Sequence, residues 1–164
     1  MQKMILVDPE KCTGCRTCEL VCSVKNEGVA NPALSRVRII RFDAVVLDVP
    51  MLCQQCASAP CILVCPTRAI SRDDDLGVVK INYDRCIGCK MCLAVCPFGG
   101  MSFNPWANRV IKCDLCGGDP LCVKFCETKA LQYVEVSAVN LLKKREAAQK
   151  LSELVRKFEE LAPV

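Results

Sequence analysis

The chain has 164 residues, of which 16 are cysteine and none is histidine. Without histidine there is no Ser–His–Asp triad, no histidine general base, no Rieske-type ligand and no haem histidine. The formal net charge is +4, and hydrophobic residues reach 52% although only 5% are aromatic. A core of this composition has few large side chains, so we expect a non-protein group to fill part of the interior.

The N-terminal sequence MQKMILVDPE has no apolar signal region and no twin-arginine pair. No apolar run approaches the 18 or more residues of a membrane span, because Asp48 and Pro50 interrupt the best candidate, Ala44–Leu52. We therefore predict a cytoplasmic protein without a membrane span. Disulfides are rare in that compartment, so closely spaced cysteines are expected to bind metal.

The first half of the chain alternates between predicted strands and cysteine motifs. The apolar segment Met4–Val7 predicts a strand directly before the first motif. Arg36–Phe42 alternates as RVRIIRF and Ala44–Val49 continues apolar, so together they predict a β-hairpin. The arginines of this hairpin are expected on a solvated strand face, with an acidic partner as the alternative.

The second half of the chain contains two further predicted strands and two notable aromatic residues. Val78–Tyr83 predicts a short strand, and the acidic run Asp73–Asp75 predicts the turn before it. Phe103 and Trp106 are expected either to shield a metal centre from water or to take part in ordinary packing. Leu131–Val136 predicts a last strand.

The C-terminal segment from Ser137 to Ala162 has a different character. It lacks cysteine and is rich in Lys, Glu and Arg. Its apolar positions are Val139, Leu142, Leu151, Leu154, Val155, Phe158 and Leu161. This pattern predicts a long amphipathic helix with Ser137 as N-cap. We expect it to dock on a partner or to mediate self-assembly, and packing on its own domain is the alternative.

The 16 cysteines fall into four motifs of four, with none left over. Motifs one and three have the spacing C-x2-C-x2-C-x3-C, whereas motifs two and four widen the middle gap to four and five residues. Motif one is Cys12, Cys15, Cys18 and Cys22; motif two is Cys53, Cys56, Cys61 and Cys65; motif three is Cys86, Cys89, Cys92 and Cys96; motif four is Cys113, Cys116, Cys122 and Cys126.

Such motifs suit cubane iron–sulfur clusters. Three cysteines on one tight loop each reach a different iron, and the fourth binds the other cluster of a pair. We expect this fourth cysteine to start a helix that points away from the loop. Gly14 and Gly88 are expected to relieve crowding where the loop wraps around the inorganic core. The sequence therefore predicts four [4Fe–4S] clusters.

The residues after each motif indicate which motifs pair. Proline follows the last cysteine of motifs two and three, whereas serine and glutamate follow that of motifs one and four. The first and last strands of a two-cluster ferredoxin pair, and here they flank motifs one and four. We predict an α+β fold of tandem, nested bacterial 2[4Fe–4S] ferredoxin-like domains with a C-terminal helix. The outer domain spans 1–50 and 105–136, the inserted domain 51–104, and the helix 137–164.

Exchange of the fourth cysteine within each pair defines four cysteine sets. The first set is Cys12, Cys15, Cys18 and Cys126; the second is Cys113, Cys116, Cys122 and Cys22; the third is Cys53, Cys56, Cys61 and Cys96; the fourth is Cys86, Cys89, Cys92 and Cys65. Each set is predicted to hold one cluster.

Other readings fit less well. Structural zinc uses separated C-x2-C pairs, so a third cysteine in each loop and the Cys-Pro endings favour clusters, and the spacing also disfavours disulfides. Four oxidised clusters with their thiolates would add a charge of about −8, so the net charge of +4 would become about −4. A negative net charge disfavours a nucleic-acid partner, although the pI of the sequence is 8.3. There is no G-x-G-x-x-G and no spare thiol, so no catalytic centre is predicted and one-electron transfer remains.

The four motifs, over roughly residues 3–135, resemble the polyferredoxin subunits of the dimethyl-sulfoxide-reductase electron-transfer family, which includes subunits of formate dehydrogenases, hydrogenases and CO-dehydrogenase systems. The segment CDLCGGDPLCVKFCETKAL is especially similar to that family's fourth motif, although Glu127 stands where proline is common. The resemblance implies an electron conductor between a catalytic subunit and an acceptor. The compact size and the tail are similar to small subunits of tungsten- or molybdenum-dependent aldehyde oxidoreductases.

We therefore predict a non-catalytic electron-transfer subunit. Its expected partners are a large catalytic redox subunit, of the tungsten- or molybdenum-pterin type, and as acceptor a flavin- or NAD-linked subunit or a ferredoxin. The alternatives are a free polyferredoxin that diffuses among partners and a subunit of a formate dehydrogenase, hydrogenase or CO-dehydrogenase system. The tail favours a bound subunit over a free carrier, because long apolar stripes mark interfaces. A cluster-based regulator lacks a DNA-reading element.

Overall fold

The structure is a computed structural model that describes residues 2–137 and residue 139. Its strands are β1 (Lys3–Val7), β2 (Val37–Phe42), β3 (Leu47–Leu52), β4 (Ile70–Arg72), β5 (Val79–Ile81), β6 (Met101–Asn104), β7 (Arg109–Lys112) and β8 (Leu131–Glu135). Its α-helices include α1 (Thr17–Glu27), α2 (Pro60–Leu63), α3 (Met91–Val95) and α4 (Leu121–Lys124). Small sheets and short helices agree with the predicted α+β class.

The described residues form four two-stranded antiparallel sheets. The first and last strands, β1 and β8, pair along their whole length, with Ile5 opposite Tyr133. This confirms the predicted pairing of the segments that flank motifs one and four. The other sheets are the hairpins β2–β3, β4–β5 and β6–β7.

The strongest strand patterns are confirmed, and the short strands are not. The alternating segment 36–42 forms β2, and the predicted hairpin is present. Its second strand is Leu47–Leu52 rather than 44–49, because Asp43–Val45 forms a 3-10 turn. Residues 74–76 form the predicted acidic turn, but the strand expected over Val78–Tyr83 is only β5, Val79–Ile81. Strands β4, β6 and β7 were not predicted, because three or four residues hold too little alternation to stand out.

The buried residues separate into two cores. The outer core gathers apolar residues of β1, β2, β3 and β8 around cysteines of motifs one and four. The inner core gathers residues of β4, β5, β6 and β7 around Cys61 and Cys92. Thiols occupy both cores beside a few aliphatic side chains, as the low aromatic content indicated.

The expectation that the fourth cysteine starts a helix is wrong. In all four motifs the helix begins one residue before the third cysteine, at Thr17, Pro60, Met91 and Leu121. In motifs two, three and four the fourth cysteine follows the end of the short helix, whereas Cys22 lies inside α1. The spacing of four residues places the third and fourth cysteines about one helical turn apart.

The hairpin arginines also differ from the prediction at one position. Arg38 and Arg41 are largely exposed, as expected for a solvated strand face. Arg36 instead has a side chain only 9% exposed, 3.1 Å from Asp114 through its Nη1 atom. Arg36 therefore belongs to a buried ion network, which an alternating pattern alone does not reveal.

The predicted C-terminal helix over 137–164 lies outside the described residues except at positions 137 and 139. Across the part of the chain that the structure describes, no helix combines the length and the apolar character needed to span a membrane.

Candidate metal centre

The structure gathers the 16 cysteines around four cavities in its described part. One cavity is lined by the first cysteine set, and three others by the second, third and fourth sets. Counted with their open mouths, the cavities have volumes of about 300 to 350 Å³. Three cysteines of one motif and the last cysteine of its partner motif thus meet in each cavity.

The loops approach the cavities through left-handed backbone positions. Arg16, with φ 59°, precedes α1, and Lys90, with φ 64°, precedes α3 in the same way. These residues turn the chain so that the third cysteine enters at the first helical turn. All four third cysteines, Cys18, Cys61, Cys92 and Cys122, are buried.

Each fourth cysteine has a hydrogen bond at its sulfur. The amides of Arg36, Ala69 and Gly100 donate to the Sγ atoms of Cys22, Cys65 and Cys96 at 3.3, 3.2 and 3.4 Å. Cys126 Sγ lies 3.8 Å from the hydroxyl of Thr128. Donors at sulfur stabilise the thiolate, the form that binds iron.

Hydrogen-bond donors at sulfur lower the pKa of a thiol, whereas burial raises the pKa of the third cysteines. It raises the pKa of Cys18 to about 12 and that of Cys92 to about 11. At Cys65 burial also raises the pKa, but hydrogen bonds from Thr67 and from the following amides outweigh it and lower the pKa overall. Because a thiolate is the ligand, binding of cationic iron would have to displace protons from the buried thiols.

Thiols of different sets lie near one another. After burial, nearby thiols raise the pKa of Cys122 further, and Cys18 of the first set is among them. Cys53 of the third set acts in this way on Cys113, and Cys61 of the third set acts on Cys92. Each of these three pairs of thiols connects two successive sets, so the sets are neighbours in the order first, second, third and fourth.

The two motif glycines are needed for a reason that the sequence did not show. Gly14 and Gly88 both have φ of +67°, which favours glycine. A Cβ atom on Gly14 would lie 2.4 Å from Asp48 Oδ2, and one on Gly88 would lie 2.6 Å from the carbonyl oxygen of Asn108. The crowding therefore comes from the hairpins β2–β3 and β6–β7, in addition to any group in the cavity.

The two aromatic residues singled out in the sequence have different environments. Trp106 is 72% exposed at the tip of the β6–β7 hairpin and lines none of the four cavities. Of the two alternatives for Trp106, the shielding role is therefore wrong. Phe103 packs against the inner core, and Lys90 Nζ lies 3.9 Å from its ring centroid.

Sequence reasoning missed the buried polar residues near the cavities. Glu19 accepts a hydrogen bond from the amide of Ile39 at 2.7 Å, and Gln55 and Lys112 are also buried. For Lys112 a hint existed, because a lysine precedes the first cysteine in motifs one and four alike. Only the structure separates the buried member of this pair from the exposed one.

The residues present fit an iron–sulfur cluster. Each cavity offers four sulfur donors and no histidine, and amides reach several of the sulfurs. Within residues 2–137, no three His, Cys, Asp or Glu side chains converge tightly enough to hold a single metal ion. The thiols surround a volume, and soft thiolates around such a volume are the ligands of [4Fe–4S] clusters.

Fold and cavities together define a ferredoxin-like iron–sulfur protein. Residues 44–136 match the family described as 4Fe-4S dicluster domain, and residues 3–24 match a 4Fe-4S binding domain. The chain belongs to the 4Fe-4S dicluster domain family and binds multiple [4Fe–4S] clusters.

Curated relatives support the same assignment. The aliphatic sulfonate oxidoreductase, polyferredoxin-like subunit, of Pyrococcus furiosus is 42% identical over 74% of this chain and 70% of its own length. The putative electron transport protein YsaA of Escherichia coli is also 42% identical, over 85% of this chain and 94% of its own. Electron transport protein HydN of the same organism is 37% identical over 82% and 89%. The chain is a non-catalytic iron–sulfur electron-transfer protein.

A solved structure was also matched. A chain of the active site complex BamBC of benzoyl coenzyme A reductase is 30% identical, with a TM-score of 0.48, over 94% of this chain and 96% of its own.

Proposed function

We propose that this protein is the electron-transfer subunit of an oxidoreductase complex and carries four [4Fe–4S] clusters in a row. The observation that carries the proposal is the grouping of four cysteines around each of four cavities. Each cluster, when bound, takes up and releases one electron at a time. The chain's own residues hold the clusters, exclude water from them and set their potentials through hydrogen bonds and burial.

We propose the nested domain arrangement and the four cysteine sets as the ligand assignment. The whole β6–β7 hairpin is counted in the inner unit, because its two strands pair and share the inner core. The pairing of β1 with β8 supports an outer unit made from both ends of the chain. Thiols of successive sets also lie close enough to raise the pKa of a neighbour, which supports a row in the order first, second, third and fourth set. Cys15 and Cys89, in the first and fourth sets, are exposed, so we propose these two ends as the sites of electron entry and exit.

The catalytic partner belongs to the same proposal. The name of the Pyrococcus furiosus relative, a polyferredoxin-like subunit of an oxidoreductase, supports a large catalytic subunit as partner. The resemblance to small subunits of aldehyde oxidoreductases favours a tungsten- or molybdenum-pterin enzyme. We further propose a cytoplasmic location, with a flavin- or NAD-linked subunit or a ferredoxin as acceptor. Two relatives carry names that include the words electron transport protein. These names support a diffusing carrier as the second candidate.

The ligand exchange gives the test. We expect Cys126→Ala to impair the cluster of Cys12, Cys15 and Cys18, whereas Cys122→Ala, only four residues away, impairs the cluster of motif four. Iron analysis and electron paramagnetic resonance of anaerobically prepared full-length protein measure both losses, against about sixteen irons in the parent. Loss of the same signal in both variants would show that each motif holds its own cluster. About four zinc ions and no visible absorbance would refute the function itself.

A further inference from the structure

Lys112 is the largest side chain in the described part of the chain with an exposure of 2% or less. It ends β7, directly before Cys113 of the second cysteine set. An isolated buried ammonium group is strongly unfavourable unless charges or dipoles compensate it. No acidic side chain among residues 2–137 forms an ion pair with it. Groups other than acidic side chains must therefore compensate the positive charge of Lys112.

The ammonium group of Lys112 forms hydrogen bonds to residues that line two different cavities. Lys112 Nζ donates to the carbonyl oxygen of Cys113, at 2.6 Å, and to that of Val79. Cys113 lines the cavity of the second set, and Val79 lines the cavity of the third set. The one buried lysine in the described residues thus lies between the two middle cavities, at the junction of the outer and inner units.

Gln55 completes this junction. Its Nε2 donates to the Cys113 carbonyl at 2.9 Å, and its Oε1 accepts from the Val79 amide at 2.9 Å. Gln55 therefore bonds to the same two residues as Lys112 but carries no charge.

We propose that Lys112 is a shared counter-charge for the two middle clusters and raises the reduction potential of both. This inference rests on the proposed ligand sets. A cation in a poorly solvated site favours the more negative of two redox forms, and the reduced form of a thiolate-bound cluster is the more negative. Lys112 would thus stabilise an electron on the two inner positions of the row, and the thiolate-bound clusters would compensate its buried charge.

The test is a redox titration of the anaerobic holoprotein, followed by electron paramagnetic resonance. In Lys112→Met and Lys112→Gln we expect two of the four midpoint potentials to shift to more negative values and two to stay. Lys112→Arg keeps the charge, so we expect it to retain most of the parent potentials. The iron content of each variant is measured first, because it tests the proposed clusters separately from the role of Lys112.

Lys11→Met is the matched control. Lys11 precedes Cys12 as Lys112 precedes Cys113, but its side chain is 53% exposed and pairs with Asp8 at 2.7 Å. Water screens such a charge, so we expect a much smaller shift. Gln55→Met is the second control. It removes hydrogen bonds to Cys113 and Val79 without removing a charge, so a shift as large as that of Lys112→Met would assign the effect to hydrogen bonding and overturn the proposal.

The remaining outcomes also decide the question. Unchanged potentials in both neutral variants, or an equal shift of all four, would refute a local counter-charge. If both neutral variants lost iron while Lys112→Arg kept it, the requirement for charge would be supported. If all three variants lost iron alike, Lys112 would be needed for its fit alone, and the proposal would fail.

Discussion

Gly14 and Gly28 share a left-handed backbone conformation, with φ of +67° and +74°, but their surroundings differ. A Cβ atom at Gly14 would lie 2.4 Å from Asp48 Oδ2, whereas at Gly28 nothing lies within 4 Å. We expect Gly28→Ala to cost about 1 to 2 kcal/mol, the penalty of the conformation alone. For Gly14→Ala we expect a further 1 to 3 kcal/mol, roughly the cost of overpacking. The temperature at which the holoprotein loses its visible absorbance measures both.

The double variant Gly14→Ala, Asp48→Ala separates the contact from the backbone effect. If the carboxylate is the obstacle, removing it recovers the additional loss relative to Asp48→Ala alone. Equal destabilisation by the two glycine variants would contradict the steric argument.

Lys11 and Lys112 show that the burial of a lysine cannot be predicted from its neighbours in the sequence. Both precede the first cysteine of a motif, and no local pattern distinguishes them. One is half-exposed beside Asp8. The other is buried and donates to Val79 on β5 and to the carbonyl of Cys113, which also accepts from Gln55 of the motif two loop. The cysteine positions could be assigned to motifs because chemistry fixes their spacing, whereas the polar residues around them depend on contacts between distant segments.

At the scale of elements, Glu27 connects the helix α1 to two other parts of the fold. Its carboxylate lies 3.1 Å from Arg109 Nη2 on β7 and 3.9 Å from Arg36 Nη2 before β2. Asn104 on β6 donates to it at 3.2 Å. The side chain is only 8% exposed. A helix of motif one is thus held against the hairpin that follows motif three.

We expect Glu27→Gln to destabilise the protein strongly, because it leaves Arg36 and Arg109 with one carboxylate fewer in a buried site. Breaking a buried pair costs about 3 to 5 kcal/mol, which corresponds to a melting temperature lower by roughly 6 °C or more for a chain of this size. Asp43→Asn is the control, since Asp43 pairs with Arg41 where both are well exposed. Thermal unfolding of the holoprotein gives the comparison, and similar melting temperatures for the two variants would argue against this connection.

Elements with long, regular patterns could be predicted from the sequence. The β2–β3 hairpin has six residues in each strand, and its alternation was visible. The β6–β7 hairpin has only four residues in each strand, and the buried position 112 is a lysine, so no alternation of apolar and polar residues marks it. The helix starts were misplaced because a four-residue spacing fits a cysteine at either end of a short helix.

At the scale of the whole molecule, all 16 cysteines and both cores lie within residues 2–137. The β1–β8 sheet closes the outer unit, and its last residue is Glu135. The cluster-binding part therefore has its complete set of ligands before the C-terminal segment begins. We therefore expect that removal of that segment leaves cluster binding intact.

Removal of residues 138–164 therefore distinguishes a bound subunit from a diffusing carrier. We expect the truncated protein to keep its iron but to lose co-purification with a large oxidoreductase under anaerobic conditions, because we predict that the apolar stripe of the tail is the docking surface. In the full chain, Leu154→Ser with Phe158→Ser should have the same effect. Arg156→Ser with Glu159→Ser leaves the net charge unchanged and should retain the partner. Retention of the partner after truncation would place docking on the cluster-binding part, and iron loss would mean that the tail packs on it.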